Sequence, residues 1–151
     1  MKEDLEAETA TAGRPIPPKA ENGKLRVLVV DDHRDTADAL AWVLHNIGHE
    51  VRAAYDGVTA MRAFEQLSPH VVLQDLLLPR SNGADIAREM RKRSATERAL
   101  LVAITGAANA ATLRAWEREP FDHLIVKPVG LKQLNEVLGK ALSRFGGMGA
   151  A

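Results

Sequence analysis

The chain contains no cysteine, which excludes disulfides, thiolate metal sites and a cysteine nucleophile. It also has no excess of charge: 20 Lys and Arg against 20 Asp and Glu give a formal net charge of +0 over 151 residues. Binding to nucleic acid or to a membrane surface usually draws on a basic excess, so composition supports neither. No apolar run approaches the roughly 20 residues needed to cross a bilayer. The N-terminus, MKEDLEAETA, is acidic where a secretory leader is basic and then apolar. These absences lead to the expectation of a cytoplasmic protein with no nucleic-acid and no membrane partner. What is present suits a single globular domain: 46% of the residues are hydrophobic and 26% charged, enough to bury a core.

Residues 1–23 read as a flexible tail, rich in Glu, Ala and Thr and then in proline at Pro15, Pro17 and Pro18. A regular alternation begins at Lys24. Leu25–Val30 is a continuous apolar strand of the kind covered on both faces. Arg34–Ile47 carries Ala37, Leu40, Ala41, Leu44 and Ile47 at helical spacing and stops at Gly48. Strands over Val51–Ala54, Val71–Asp75, Leu100–Thr105 and His123–Val126 alternate with helices over Val58–Leu67, Ala84–Lys92, Ala110–Arg118 and Leu131–Leu142. Leu76–Gly83 reads as a loop, with Pro79 and Asn82-Gly83 as turn signals, and residues 144–151 as a frayed end. Alternating strands and helices define an α/β fold with helices on both faces of a parallel sheet. Right-handed crossovers then favour a doubly wound five-stranded sheet in the flavodoxin-like order 2-1-3-4-5.

Four polar anchors stand where apolar runs end. Asp31 and Asp32 follow LRVLVV, Asp75 follows VVLQ, Thr105 follows LLVAI, and Lys127 follows LIV. In an open parallel sheet these ends share the edge at which ligands bind. Three carboxylates brought together repel one another, and a hard divalent cation with oxygen ligands is the natural compensation. Lys127 adds a fixed positive charge, and Pro128 holds its backbone extended. Thr105 adds a short hydroxyl donor. Metal, amine, hydroxyl and backbone N–H groups supply the positioning and charge neutralisation that phosphoryl transfer needs. Asp75 is the candidate nucleophile, because carboxylates form aspartyl-phosphate intermediates. Singly, each of these residues reads as a helix cap, a turn residue or a solvated charge; the signal lies in the set.

The segments LRVLVVDDHRDTADAL, HVVLQDLLLPRSNG, LLVAITGA and FDHLIVKPV resemble the motifs of a bacterial two-component response-regulator receiver domain. The resemblance covers roughly residues 24–143 and is closest in wording to stand-alone receivers and those of hybrid sensor kinases. It implies that Asp75 is the phospho-acceptor, and that Asp31, Asp32, Asp75 and the backbone carbonyl of Leu77 hold Mg²⁺. It implies further that Thr105 and Lys127 bind the phosphoryl group. The phosphoryl donor would be a sensor histidine kinase or a histidine phosphotransfer protein. With no stretch left for an output domain after Leu142, the expectation is a single-domain regulator. It would signal by contact with a downstream protein target or by phosphorelay. It would be no enzyme beyond its own phosphorylation and dephosphorylation.

Several positions depart from that pattern. Leu124 stands where many receivers carry an aromatic residue that moves on activation, so a phosphorylation-independent interaction module is the competing reading. Gln74, beside the acceptor, is polar where an apolar residue is usual, and pointing inward it needs a hydrogen-bond partner. Glu119-Pro120 replaces a glycine-containing turn. Leu77 and Ala107 leave no side chain to position an attacking water, which predicts slow loss of phosphate. Trp42 falls opposite Leu40 and Leu44 as a candidate partner contact, while Trp116 reads as semi-buried packing. Arg88, Arg91, Lys92, Arg93 and Arg98 read as a solvated basic face, and the five histidines have no metal spacing. A flavin or nucleotide protein of the same fold is disfavoured, because two aspartates open the loop where an anion would sit.

Overall fold

Strand β1, Arg26–Val30, is buried along its whole length and pairs on both sides, with β2 (Glu50–Ala54) and β3 (Val71–Asp75). The computed structural model describes residues 23–78, 81–93, 99–106 and 121–146. Two short strands follow, β4 (Leu77–Leu78) and β5 (Ser81–Asn82), then β6 (Leu100–Thr105) and β7 (His123–Val126). The main sheet runs β2-β1-β3-β6-β7, with every pairing parallel. This is the order expected from the alternation, counted over the five long strands. The tail over residues 1–22, the helix expected over Ala110–Arg118, Trp116, Ala107, Glu119-Pro120, Arg98 and residues 147–151 lie outside the described residues.

Alternation along the strands sorts their side chains into two cores. Val27, Val29, Val71, Leu73, Val102 and Ile104 face α1 (Arg34–Ile47) and α4 (Leu131–Phe145), meeting Ala37, Leu44, Leu134 and Val137. Leu28, Val30, Val72 and Leu101 face α2 (Gly57–Leu67) and α3 (Gly83–Arg93), meeting Phe64, Leu67, Ile86 and Met90. Local chemistry sets the helix ends. The Asp56 carboxylate accepts the Thr59 N–H at 2.8 Å to cap α2. Gly48, at φ 116°, takes the left-handed turn that closes α1. Among the described residues no helix is long and apolar enough to cross a membrane.

Three sequence expectations need correction. Leu76–Gly83 is not wholly irregular: Leu77 pairs with Asn82 and Leu78 with Ser81 as a two-stranded antiparallel ribbon, too short for any periodicity to reveal. Ile47 shares the helical spacing of the core residues but is 49% exposed, because it is the last residue before the left-handed cap and lies past the packed interior. The basic run on α3 is not simply solvated. Arg91 bonds to Ala99 O and Asp122, and Arg93 pairs with Glu65 and Glu89.

The amino-terminal edge of the sheet is tied by side chains. His49 Nδ1 accepts the Leu25 N–H at 3.0 Å and His70 Nδ1 accepts the Arg26 N–H at 2.8 Å. Asp122 Oδ2 accepts the Leu101 N–H at 2.9 Å. Strand starts that would otherwise bury free donors are satisfied in this way.

Candidate functional site: an acidic cluster at the carboxyl edge of the sheet

Parallel pairing brings the ends of β1 and β3 side by side, with Val30 level with Gln74. Asp31, just beyond β1, and Asp75, the last residue of β3, therefore emerge together. Both are buried, whereas Asp32 is exposed. One carboxylate oxygen from each of the three lies within 4.8 Å of the others. Lys127, following β7, reaches across the edge. Its Nζ lies 3.1 Å from Asp31 Oδ2 and 3.1 Å from Asp75 Oδ2. The lysine is thus shared equally between Asp31 and Asp75.

The remaining oxygens of the two buried carboxylates are held by the backbone. Asp75 Oδ1 accepts the Leu77 N–H and Asp31 Oδ1 accepts the His33 N–H, each at 2.9 Å. Thr105 ends β6, fully buried, and its carbonyl accepts the Lys127 N–H at 2.7 Å. Threonine and lysine are thus linked through their backbones. The Lys127–Pro128 peptide is cis. All five anchors, Asp31, Asp32, Asp75, Thr105 and Lys127, stand at one edge, with Leu77 beside them.

Burial pushes the Asp75 carboxyl above the usual range, opposed by the Leu77 N–H and by Lys127. For Lys127 burial acts downward, but hydrogen bonds to Asp31 and Asp75 outweigh it and raise its pKa. One ammonium against three carboxylates leaves the site with surplus negative charge, and its donors are all hard oxygens. That set fits an oxygen-seeking divalent cation such as Mg²⁺. At the rim, the Arg34 guanidinium lies 4.1 Å above the Tyr55 ring, and the Tyr55 hydroxyl donates to Asp38 Oδ1 at 2.5 Å. That hydrogen bond raises the phenol's pKa.

Sequence reasoning missed Gly83. A Cβ there would fall 2.6 Å from Asp75 O and 2.9 Å from Leu76 Cα, so the start of α3 presses directly on the Asp75 backbone. Asn82-Gly83 was legible as a turn signal, but a turn signal does not say what the glycine touches. The partner that Gln74 needs is also found here: its Nε2 donates to Gly83 O at 2.7 Å. Leu124 is half-buried on β7, level with Ala103. Trp42 is 67% exposed, as its helical position predicted.

Fold and site define the class, an α/β receiver domain. The family model described as the response regulator receiver domain matches residues 27–139, and the chain belongs to that family. Among curated relatives it is 31% identical over 140 residues to the virulence sensor protein BvgS of Bordetella pertussis, covering 89% of this chain and 11% of that protein. It is 35% identical over 109 residues to the DNA-binding response regulator MtrA of Mycolicibacterium paratuberculosis, covering 72% of this chain and 47% of that one. The chain thus spans under half the length of these relatives. Among solved structures, NtrX from Brucella abortus is 32% identical, with a TM-score of 0.71 over 79% of this chain and 27% of its own. A receiver domain protein from Clostridium thermocellum is 26% identical, with a TM-score of 0.70 over 79% of this chain and 94% of its own. The chemotaxis protein CheY4 of Vibrio cholerae, at 22% identity and a TM-score of 0.72, shares the fold.

Proposed function

We propose that this receiver domain accepts a phosphoryl group on Asp75 from a phosphohistidine, in the cytoplasm, with Mg²⁺ held by Asp31, Asp32, Asp75 and the Leu77 carbonyl. The observation that carries the reading is Lys127 Nζ standing 3.1 Å from both Asp31 and Asp75 within the carboxylate cluster. The donor is a sensor histidine kinase or a histidine phosphotransfer protein. Output goes to a downstream protein by contact, or onward by phosphorelay.

Asp75 Oδ2 attacks phosphorus, the P–N bond to the donor's imidazole breaks, and the imidazole leaves with the electron pair and takes a proton from solvent. A divalent cation, when bound, neutralises charge on the transferring phosphoryl oxygens. The Leu77 N–H keeps the other Asp75 oxygen fixed, so the nucleophile enters in one orientation. Lys127 is already poised at Oδ2 and passes its hydrogen bond to a phosphoryl oxygen. Thr105, tied by backbone to Lys127, supplies a hydroxyl donor.

Acetyl phosphate with and without Mg²⁺, read by intact mass, tests the reading. The expected result is one added phosphoryl group in the parent only when Mg²⁺ is present, and none in Asp75→Asn. A parent protein that stays unmodified under both conditions would defeat the assignment and favour a phosphorylation-independent interaction module.

A further inference from the structure

Gln74 immediately precedes the acceptor, is 1% exposed, and lies on the face of β3 turned toward α2 and α3. Its Nε2 donates to Gly83 O at 2.7 Å, while its Oε1 has no hydrogen-bond partner among the described residues. Leaving a buried acceptor unpaired is destabilising, so an amide here is a poor choice for stability alone. A leucine or methionine would fill the same volume without that cost.

What the amide holds is the return point of the loop that leaves the acceptor. The chain departs at Leu76, passes through β4 and β5, and comes back at Gly83, whose N–H reaches Leu76 O at 3.4 Å. Gly83 packs so closely that a Cβ would overlap Asp75 O. Within this loop Leu77 donates its N–H to Asp75 Oδ1. The loop is thus pinned at Leu77 by the acceptor's own carboxylate and at Gly83 by the side chain next to it.

We propose that Gln74 is a positioning residue: through Gly83 and the adjoining pairing of Asn82 with Leu77 it sets where Leu77 stands relative to Asp75. This rests on the phospho-acceptor reading above and deepens it. The amide strengthens the cation site and the orientation of the nucleophile at the expense of an unpaired Oε1.

Gln74→Met retains volume and removes both polar atoms. The expected result is a melting temperature equal to or above the parent's, with Mg²⁺ affinity by titration calorimetry weakened about fivefold or more. Amide exchange of peptides covering 76–83 should quicken, with exchange over β1 unchanged. Should the methionine variant not fold, Gln74→Asn, whose shorter amide falls short of Gly83, is read in the same way. Parent-like Mg²⁺ affinity and loop exchange in the folded variant overturn the proposal. A parent that takes no phosphoryl group, in a pair whose loop exchange still differs, overturns the acceptor reading and leaves the positioning role standing. A parent that is phosphorylated while the variant matches it in every measurement defeats the positioning role alone.

Discussion

Lys127 hydrogen-bonds to Asp31 at the same 3.1 Å at which it meets Asp75, so the ammonium occupies the space between the two buried carboxylates. A resident cation in that place competes with a divalent one for the same oxygens.

Lys127→Met should therefore separate two properties that a simple loss of charge would not. Mg²⁺ binding is expected to tighten, because the carboxylates no longer share their charge with the lysine. Phosphorylation by acetyl phosphate is expected to slow by about tenfold or more, because the positive charge that meets the phosphoryl oxygens is gone. Titration calorimetry and intact-mass time courses give the two values; a variant that loses both together would contradict this account.

Leu77 presents an apolar, 64% exposed side chain directly after the acceptor loop begins. Nothing on that side chain can orient a water toward a phosphorylated Asp75. Leu77→Gln adds an amide able to do so, and the acyl-phosphate lifetime is expected to shorten several-fold. Decay of the phosphorylated mass after desalting checks this; an unchanged lifetime removes the role assigned to the position.

Gly83→Ala places a methyl 2.6 Å from Asp75 O and 2.9 Å from Leu76 Cα, both backbone atoms with little freedom to retreat. Overpacking of this kind typically costs about 1–3 kcal/mol. The variant should lower the urea midpoint and slow phosphorylation together, since the clash displaces the Asp75 backbone. Chemical unfolding at parent-like stability would show that α3 shifts freely, contrary to the close approach seen here.

The histidines at the opposite edge predict acid sensitivity. Burial lowers the pKa of His49 below its ordinary 6.5, and burial together with Lys140 lowers that of His123, against a smaller opposing effect of Glu136. A base depressed in the folded state leaves the unfolded chain holding more protons below pH 6.5. Stability is then full above about pH 6.5 and declines as pH falls toward the depressed values. Protonation would also cost His49 its acceptance of the Leu25 N–H. His49→Gln keeps an acceptor that cannot titrate, and urea midpoints from pH 8 to pH 5, about the span of imidazole titration, should fall less steeply than the parent's. A variant with the parent's slope would rule out His49 as a source.

The anchors were legible because each ends an apolar run, and the ends of parallel strands must share an edge. Asp31, Asp32, Asp75, Thr105 and Lys127 follow from that rule, as the sheet order follows from the alternation and its right-handed crossovers. What stayed hidden depends on how loops return. That Gly83 touches Asp75, that Gln74 finds its carbonyl and that Lys127 divides itself between two carboxylates are facts of distance between segments, not of pattern within one. Ile47 misled for the converse reason: helical spacing assigns a face, but not how far along the helix the core extends.

The bond between Lys127 and Asp31 joins residues 96 positions apart, and that between Lys127 and Asp75 spans 52. During synthesis the aspartates emerge and can begin to assemble long before the lysine leaves the ribosome. Until β7 docks at the edge of the sheet, the cluster is a set of crowded negative charges without its internal cation. On the phospho-acceptor reading, competence to accept phosphate then arrives with the last strand, and a chain cut before it would carry no signal.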